Sequence, residues 1–210
     1  MNNLLKWSIE NSQTPANPDG SSNTEGAQRK LDADALKVLL GGPSDADLMK
    51  EAMAAILSPD VTLENKVIAF DNFEQLVEQI DNANNVENLG MWPPLIELLS
   101  SNEPELRRYT CWVIGTIVQN NEKAQQQPVD RGIVPKLVEL ALEDADEQVR
   151  RKAIYALSSE FRNFELGLQA GLKVLPKTIV PEGGNNANDM EAVDRIIGRL
   201  RENSSRLSAQ

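Results

Sequence analysis

The chain has 210 residues, 40% of them hydrophobic and only 4% aromatic, enough for one elongated core of Leu, Ile, Val and Ala. A net charge of −11 and a sequence pI of about 4.6 argue against partners that must be held through their phosphates, so no nucleic acid and no membrane surface is expected. There is no His, which removes the usual general base, the commonest metal ligand and every Ser–His or Cys–His nucleophile pair, so no catalytic, cofactor-binding or metal site is expected.

The N-terminal residues place Leu4, Leu5, Trp7 and Ile9 close together, but Lys6 and Ser8 interrupt a run already too short for a signal-peptide core. Residues 13–30 hold Pro15, Pro18, Gly20 and Gly26 and no large apolar side chain, a composition that favours a flexible linker. Residues 1–30 are therefore predicted to be a flexible arm that carries a sticky motif at 4–9.

From Leu31 the pattern turns helical. Leu31, Ala35, Leu36, Leu39 and Leu40 form one stripe, which Gly41-Gly42-Pro43 stops. Ser44 with Asp47 reads as a capping box that opens a helix ending at Ser58-Pro59. A long helix is then predicted over about 63–83, with a core stripe of Val67, Phe70, Phe73, Leu76, Val77 and Ile80.

From residue 90 the chain repeats itself. Gly90 through Leu98 returns as Gly132 through Leu140, with Leu95 matched by Leu137. Leu106-Arg107-Arg108 and Trp112 through Asn120 return as Val149-Arg150-Arg151 and Tyr155 through Asn163. A period of roughly 40 to 47 residues without strand patterning is that of armadillo and HEAT repeats. Helices are predicted at about 92–101, 104–121, 134–143 and 146–163. Gly90 and Gly132 would form tight bends, and Pro93 and Pro135 would lie in the first turns that follow. After Gly171 the period decays until a last amphipathic helix, Met190, Val193, Ile196, Ile197 and Leu200, opened by Asn188 or Asp189, caps the stack. The fold class is thus all-α, an armadillo-like solenoid of about three repeats over 31–203, with a disordered tail at 204–210.

Cys111 is the only cysteine; it excludes an intramolecular disulfide, suits a reducing compartment and falls at an apolar helix position. No segment approaches the roughly 18 unbroken apolar residues of a membrane span, so a cytoplasmic protein is expected, with diffusion into the nucleus open to it.

The long third helices of such a stack line its concave face. With Leu106, Thr110, Val113, Ile114, Ile117 and Val118 turned to the core, the free stripe of the second repeat is Arg108, Trp112, Thr116 and Gln119. Its equivalents in the third repeat are Arg151, Tyr155, Ser159 and Arg162. In the first repeat they are Asp71, Glu74, Glu78 and Asp81, with Asn82 at the end. Trp, Tyr and Arg carry binding energy at interfaces. Two readings remain open here: a partner-binding groove, or aromatics packed between repeats with solvated carboxylates around them. The basic runs Arg107-Arg108 and Arg150-Arg151-Lys152 lie in the first turns of their helices, where the macrodipole disfavours cations, so something should offset them: a carboxylate such as Glu105 or Glu147, or an acidic patch on a partner.

Leu63 through Glu74 with Asp81-Asn82-Ala83-Asn84-Asn85, Ile114-Gly115-Thr116 with Val118 through Asn121, and Arg151 through Ser159 together resemble one family. It is that of the armadillo-type nucleotide exchange factors of seventy-kilodalton heat-shock, or DnaK-type, chaperones. Leu4 through Ile9 is similar to the opening of its fungal cytosolic branch. The resemblance implies a monomeric cytosolic co-chaperone without chemistry or cofactor of its own. Its concave face would embrace one lobe of the chaperone's ATPase domain, open the nucleotide cleft and let ADP leave. Exposed apolar residues beside one Lys resemble chaperone substrates, so Leu4, Leu5, Trp7 and Ile9 are expected to act as a pseudo-substrate arm, or else to pack on the solenoid's first helix.

The alternative is a passive armadillo adaptor that binds an extended peptide. Such adaptors clamp the peptide backbone with Asn one turn after a groove Trp, where this chain has Thr116 and Ser159. A carboxylate enzyme built on Asp71, Glu74 or Asp81 is disfavoured, because a flat solenoid face offers no water-excluding pocket.

Overall fold

A computed structural model describes residues 41–183 and 185–208. The expected arm, linker and helix at Leu31–Leu40 lie outside the described residues, as do 209 and 210. The chain divides into two compact units, Met1–Gly42 and Pro43–Gln210. Among the described residues there are ten helices and no strand.

In order they are α1 (Asp45–Leu57), α2 (Leu63–Val77), α3 (Ile80–Asn88), α4 (Trp92–Leu98), α5 (Pro104–Val118), α6 (Glu122–Asp130), α7 (Ile133–Glu143), α8 (Glu147–Phe161), α9 (Glu165–Leu172) and α10 (Met190–Ser208). The long helices α2, α5 and α8 pack side by side, and α10 closes the row against α8. The short helices α3, α6 and α9 begin successive repeats. The period is therefore that of three-helix armadillo units, as the repeat spacing implies.

Local signals act as read. Ser44 accepts from the Asp47 N–H while the Asp47 carboxylate accepts from the Ser44 N–H, which completes the capping box of α1. Gly90 and Gly132 both have φ of 66°, a left-handed bend that costs glycine nothing. Asn120 and Asn163, equivalent in the repeat, have φ of 53° and 57° and stop α5 and α8 short of the predicted ends. Asp189 opens α10 by accepting from the Ala192 N–H. Cys111 is fully buried, and burial pushes its thiol well above the ordinary value, as suits a packing residue.

Three expectations need correction. The helix predicted over 63–83 is two helices, broken at Gln79, whose ψ is 127°. Asn82 Nδ2 stabilises the break by donating to the Leu76 carbonyl and to Asp45 Oδ2, both at 2.9 Å. Ile80, assigned to the core stripe, is 59% exposed as a result. No Pro or Gly marks the site, and the apolar period stays in phase across it. The short helices α3, α6 and α9 also went unread as separate elements, since α6 carries polar residues and Pro128 rather than a stripe.

The third correction concerns the tail. Helix α10 runs on to Ser208, and Ser204 is 3% exposed. Arg150 holds it there. Arg107 and Arg150 occupy matching places in α5 and α8, and each guanidinium donates to two carbonyls of its own preceding loop: Ser101 and Asn102, then Asp144 and Ala145. Each also reaches into the next layer. Arg107 forms a two-pronged bond to Asp144 at 2.7 and 2.8 Å, while Arg150 bonds the Ser204 hydroxyl and carbonyl, both at 3.0 Å. Burial pushes the Asp144 carboxyl up. The Arg107 hydrogen bonds, the Asp146 N–H and the two Arg charges outweigh it and hold the group below the usual range. Glu105 and Glu147 pair with Arg108 and Arg151, as expected.

Candidate partner-binding face

The outer faces of α2, α5 and α8 form a continuous strip. Its density comes from Gly115: a Cβ there would lie 2.5 Å from Tyr155 Cε1, so only glycine lets the ring lie on α5. Tyr155 then donates to Gln119 Oε1 at 3.1 Å and lies 3.4 Å from Thr116 Oγ1. Thr116 donates to Glu74 Oε1 at 2.8 Å and so ties α5 to α2. Burial raises the Glu74 pKa, and Glu78 and Asp71 add to the effect, while the Thr116 bond and Lys152 oppose it.

Beside this polar line runs an aromatic one. Phe70, Tyr109 and Trp112 follow each other with ring centroids 5.6 Å apart at each step. Lys152 Nζ lies 4.2 Å from the Trp112 centroid and 5.7 Å from that of Tyr155, and Arg108 lies 4.7 Å from that of Tyr109. Burial lowers the Lys152 pKa, with Glu74 opposing and Arg108 assisting.

Glu74, Trp112, Thr116, Gln119 and Tyr155 therefore meet, Glu74 and Thr116 being buried beneath the others, with Asp71 on the same helix as Glu74, Glu78 at its C-cap and Arg108 at the margin. Trp112 and Tyr155 pack between helices, as the second reading has it, and stay half exposed. The other expected residues are placed differently. Asp81 and Asn82 fall on α3, beyond the break, and Asn82 is engaged by Asp45. Ser159 is buried, and its carbonyl accepts from Gln125. Arg151 is exposed beside Glu147. Arg162 turns to the end cap, bonding Ser158 and pairing with Asp194 of α10. Tyr109 is absent from the expected stripe, and Lys152 is expected there only as part of the basic run, not over the Trp112 ring. Tyr109 stands three residues before Trp112 and Lys152 three before Tyr155, a spacing that does place each pair on one helix face.

The described residues hold no metal-competent cluster of His, Cys, Asp or Glu, and no helix among them is long and apolar enough to cross a membrane. A helical-repeat scaffold with an aromatic, charged strip defines a protein-interaction module. Residues 1–86 match the family described as nucleotide exchange factor Fes1, and residues 82–187 match the SIL1/FES1/HPBP1 C-terminal domain. The chain is 54% identical to the Hsp70 nucleotide exchange factor FES1 of Coccidioides immitis, across 96% of this chain and 97% of that one. Identity to the protein of that name from Gibberella zeae is 46%, over 96% and 95% of the two chains. For the Neurospora crassa protein it is 42%, over 96% of each. This chain belongs to the Fes1 family of nucleotide exchange factors. The crystal structure of an engineered protein from the Northeast Structural Genomics Consortium shares the fold, with TM-score 0.54 and 20% identity over 82% of this chain and 71% of that one.

Proposed function

We propose that this chain is a nucleotide exchange factor of cytosolic Hsp70-type chaperones, a monomeric cytoplasmic co-chaperone that is not itself an enzyme. The observation that carries this reading is 54% identity, over nearly the whole of both chains, to a relative named for that activity. The strip on α2, α5 and α8 is the surface assigned to the chaperone's ATPase domain. Asp71, Glu78, Arg108, Trp112, Gln119 and Tyr155 would form its contact surface, tied from beneath by the buried Glu74 and Thr116, with the exposed Asp81 and Arg151 at its margins. Asn82, Ser159 and Arg162 are engaged within the solenoid and would not touch the partner.

Exchange then follows from linkage. A factor that binds open and closed ATPase lobes equally shifts nothing; one that prefers the open form weakens ADP by the same factor. Each tenfold weakening needs about 1.4 kcal/mol of differential binding. An interface of about 1,600 Å² is large enough to supply several such steps. The adaptor reading is less well supported: Thr116 already donates to Glu74, and Ser159 is buried, so neither is free to clamp a peptide. The deciding experiment is the release rate of a fluorescent ADP analogue from an Hsp70-type chaperone with and without this protein. An unchanged rate rejects the proposal.

Trp112→Ala or Tyr155→Ala is expected to weaken chaperone binding by about 2 kcal/mol or more, the range for central aromatic anchors. Calorimetric titration checks this, with circular dichroism as control. A variant that unfolds in step with its lost binding would return that residue to the core.

The arm is assigned a second role. Leu4, Leu5, Trp7 and Ile9 would enter the chaperone's substrate-binding domain as a pseudo-substrate and help evict bound client. Leu5→Ser combined with Trp7→Ser is expected to leave ADP release normal and slow the release of a prebound client peptide. Unchanged client release, or a lower melting temperature of the solenoid, rejects this role.

A further inference from the structure

The strip holds one cation that no carboxylate meets in a direct ion pair, although the field of Glu74 reaches it. Among the described residues Lys152 forms no ion pair, although it is half buried and its ammonium lies over the Trp112 ring. Arg108 next to it is paired with Glu105, and the exposed Arg151 with Glu147. Arg108, Tyr109, Trp112, Gln148 and Lys152 line a shallow cavity of about 190 Å³ between α5 and α8. Its rim thus carries an ammonium, a guanidinium and the Gln148 amide, its walls are two aromatic rings, and no carboxylate lines it. This is a cationic spot on a chain whose net charge is −11.

We infer that this cavity is an anchor for one carboxylate side chain, an Asp or Glu, presented by the chaperone's ATPase domain. The inference rests on the exchange-factor reading and adds the chemistry of a contact to it. A partly desolvated cation with no carboxylate in direct contact is costly to hold, and its lowered pKa reflects burial that Glu74 only partly offsets. An incoming carboxylate removes the cost and gains a charge-assisted hydrogen bond, which strengthens as the surrounding interface excludes water. The rings confine Lys152 and limit the side-chain entropy lost on pairing. The acidity of the rest of the chain disfavours phosphate-rich ligands, while a lone carboxylate suits a cavity of this size.

The test compares full-length wild type, Lys152→Gln and Lys152→Arg for binding to a full-length Hsp70-type chaperone at several salt concentrations. Lys152→Gln is expected to weaken the Kd about tenfold or more and to flatten its salt dependence. Lys152→Arg should stay within a few-fold of wild type, and the melting temperature of Lys152→Gln should be unchanged or higher. Wild-type Kd and salt dependence in Lys152→Gln would overturn the inference. So would equal losses in both variants, because charge would then not be the recognised feature. Wild-type protein that neither binds nor accelerates ADP release would reject the exchange-factor reading itself, a separate result.

Discussion

Arg150→Ala is expected to destabilise the solenoid by about 3 to 4 kcal/mol and to release the C-terminal helix α10 from the stack. Arg150 is 3% exposed, and its planar fork joins three pieces of chain. Nη1 donates to the Asp144 and Ala145 carbonyls at 2.8 and 3.2 Å, and Nε to the Ser204 hydroxyl at 3.0 Å. Nη2 donates to the Ser204 carbonyl at 3.0 Å and also bonds the Ser208 hydroxyl. Truncation leaves these acceptors without a donor in a dry site and opens a cavity beneath α10. Lysine should restore little, since a single ammonium cannot reproduce the geometry of the fork. Urea denaturation measures the loss, and hydrogen exchange over 190–208 locates it. A midpoint equal to wild type, with protection retained in α10, would show that the apolar face of Val193, Ile196, Ile197 and Leu200 holds the cap unaided.

A second large effect, of opposite sign, is expected at Glu160. Its side chain is fully buried near the end of α8, and neither carboxylate oxygen finds a hydrogen-bond partner among the described residues. Helix α9 crosses so closely that a Cβ on Gly167 would lie 2.6 Å from Glu160 Oε1. Burial raises the pKa from 4.5 to about 9. At pH 7 the unfolded chain carries Glu160 as a carboxylate, so folding must take up a proton. The cost is absent below about pH 4.5, grows as pH rises through the unfolded value and levels off above about 9. At pH 7 it amounts to about 3 kcal/mol. Glu160→Gln keeps the shape without the proton uptake and should recover most of that amount. Glu74, also raised by burial, contributes in the same direction. Chemical denaturation of wild type and variant from pH 5 to 9 tests this; parallel pH profiles for the two proteins would sink it.

Arg150 and Glu160 also show where sequence reading stops. The first belongs to a basic run for which Glu147 is the expected structural counterpart, and that carboxylate does pair with Arg151. Arg150 itself bonds a serine 54 residues away, in a segment assigned to a disordered tail. The same limit applies at the candidate site. Helical spacing put Trp112, Thr116 and Gln119 on one face, and the internal repeat added Tyr155. That Lys152 lies over Trp112 depends on how far α8 approaches α5, which Gly115 decides. Arg162 shares the stripe of Tyr155, but α10 lies within its reach and Asp194 captures it.

By itself the sequence determined the all-helical class, the period of the solenoid, the capping box at Ser44, the bends at Gly90 and Gly132 and the face on which the aromatics sit. Each of these depends on interactions among residues within a few positions, or on similarity between whole repeats, and a single chain displays both directly. The tertiary structure alone decided the break at Gln79, the docking of the last helix and the company of Lys152 and Glu160. In those places a side chain meets partners from another layer, and its free energy depends on distances that no local period encodes.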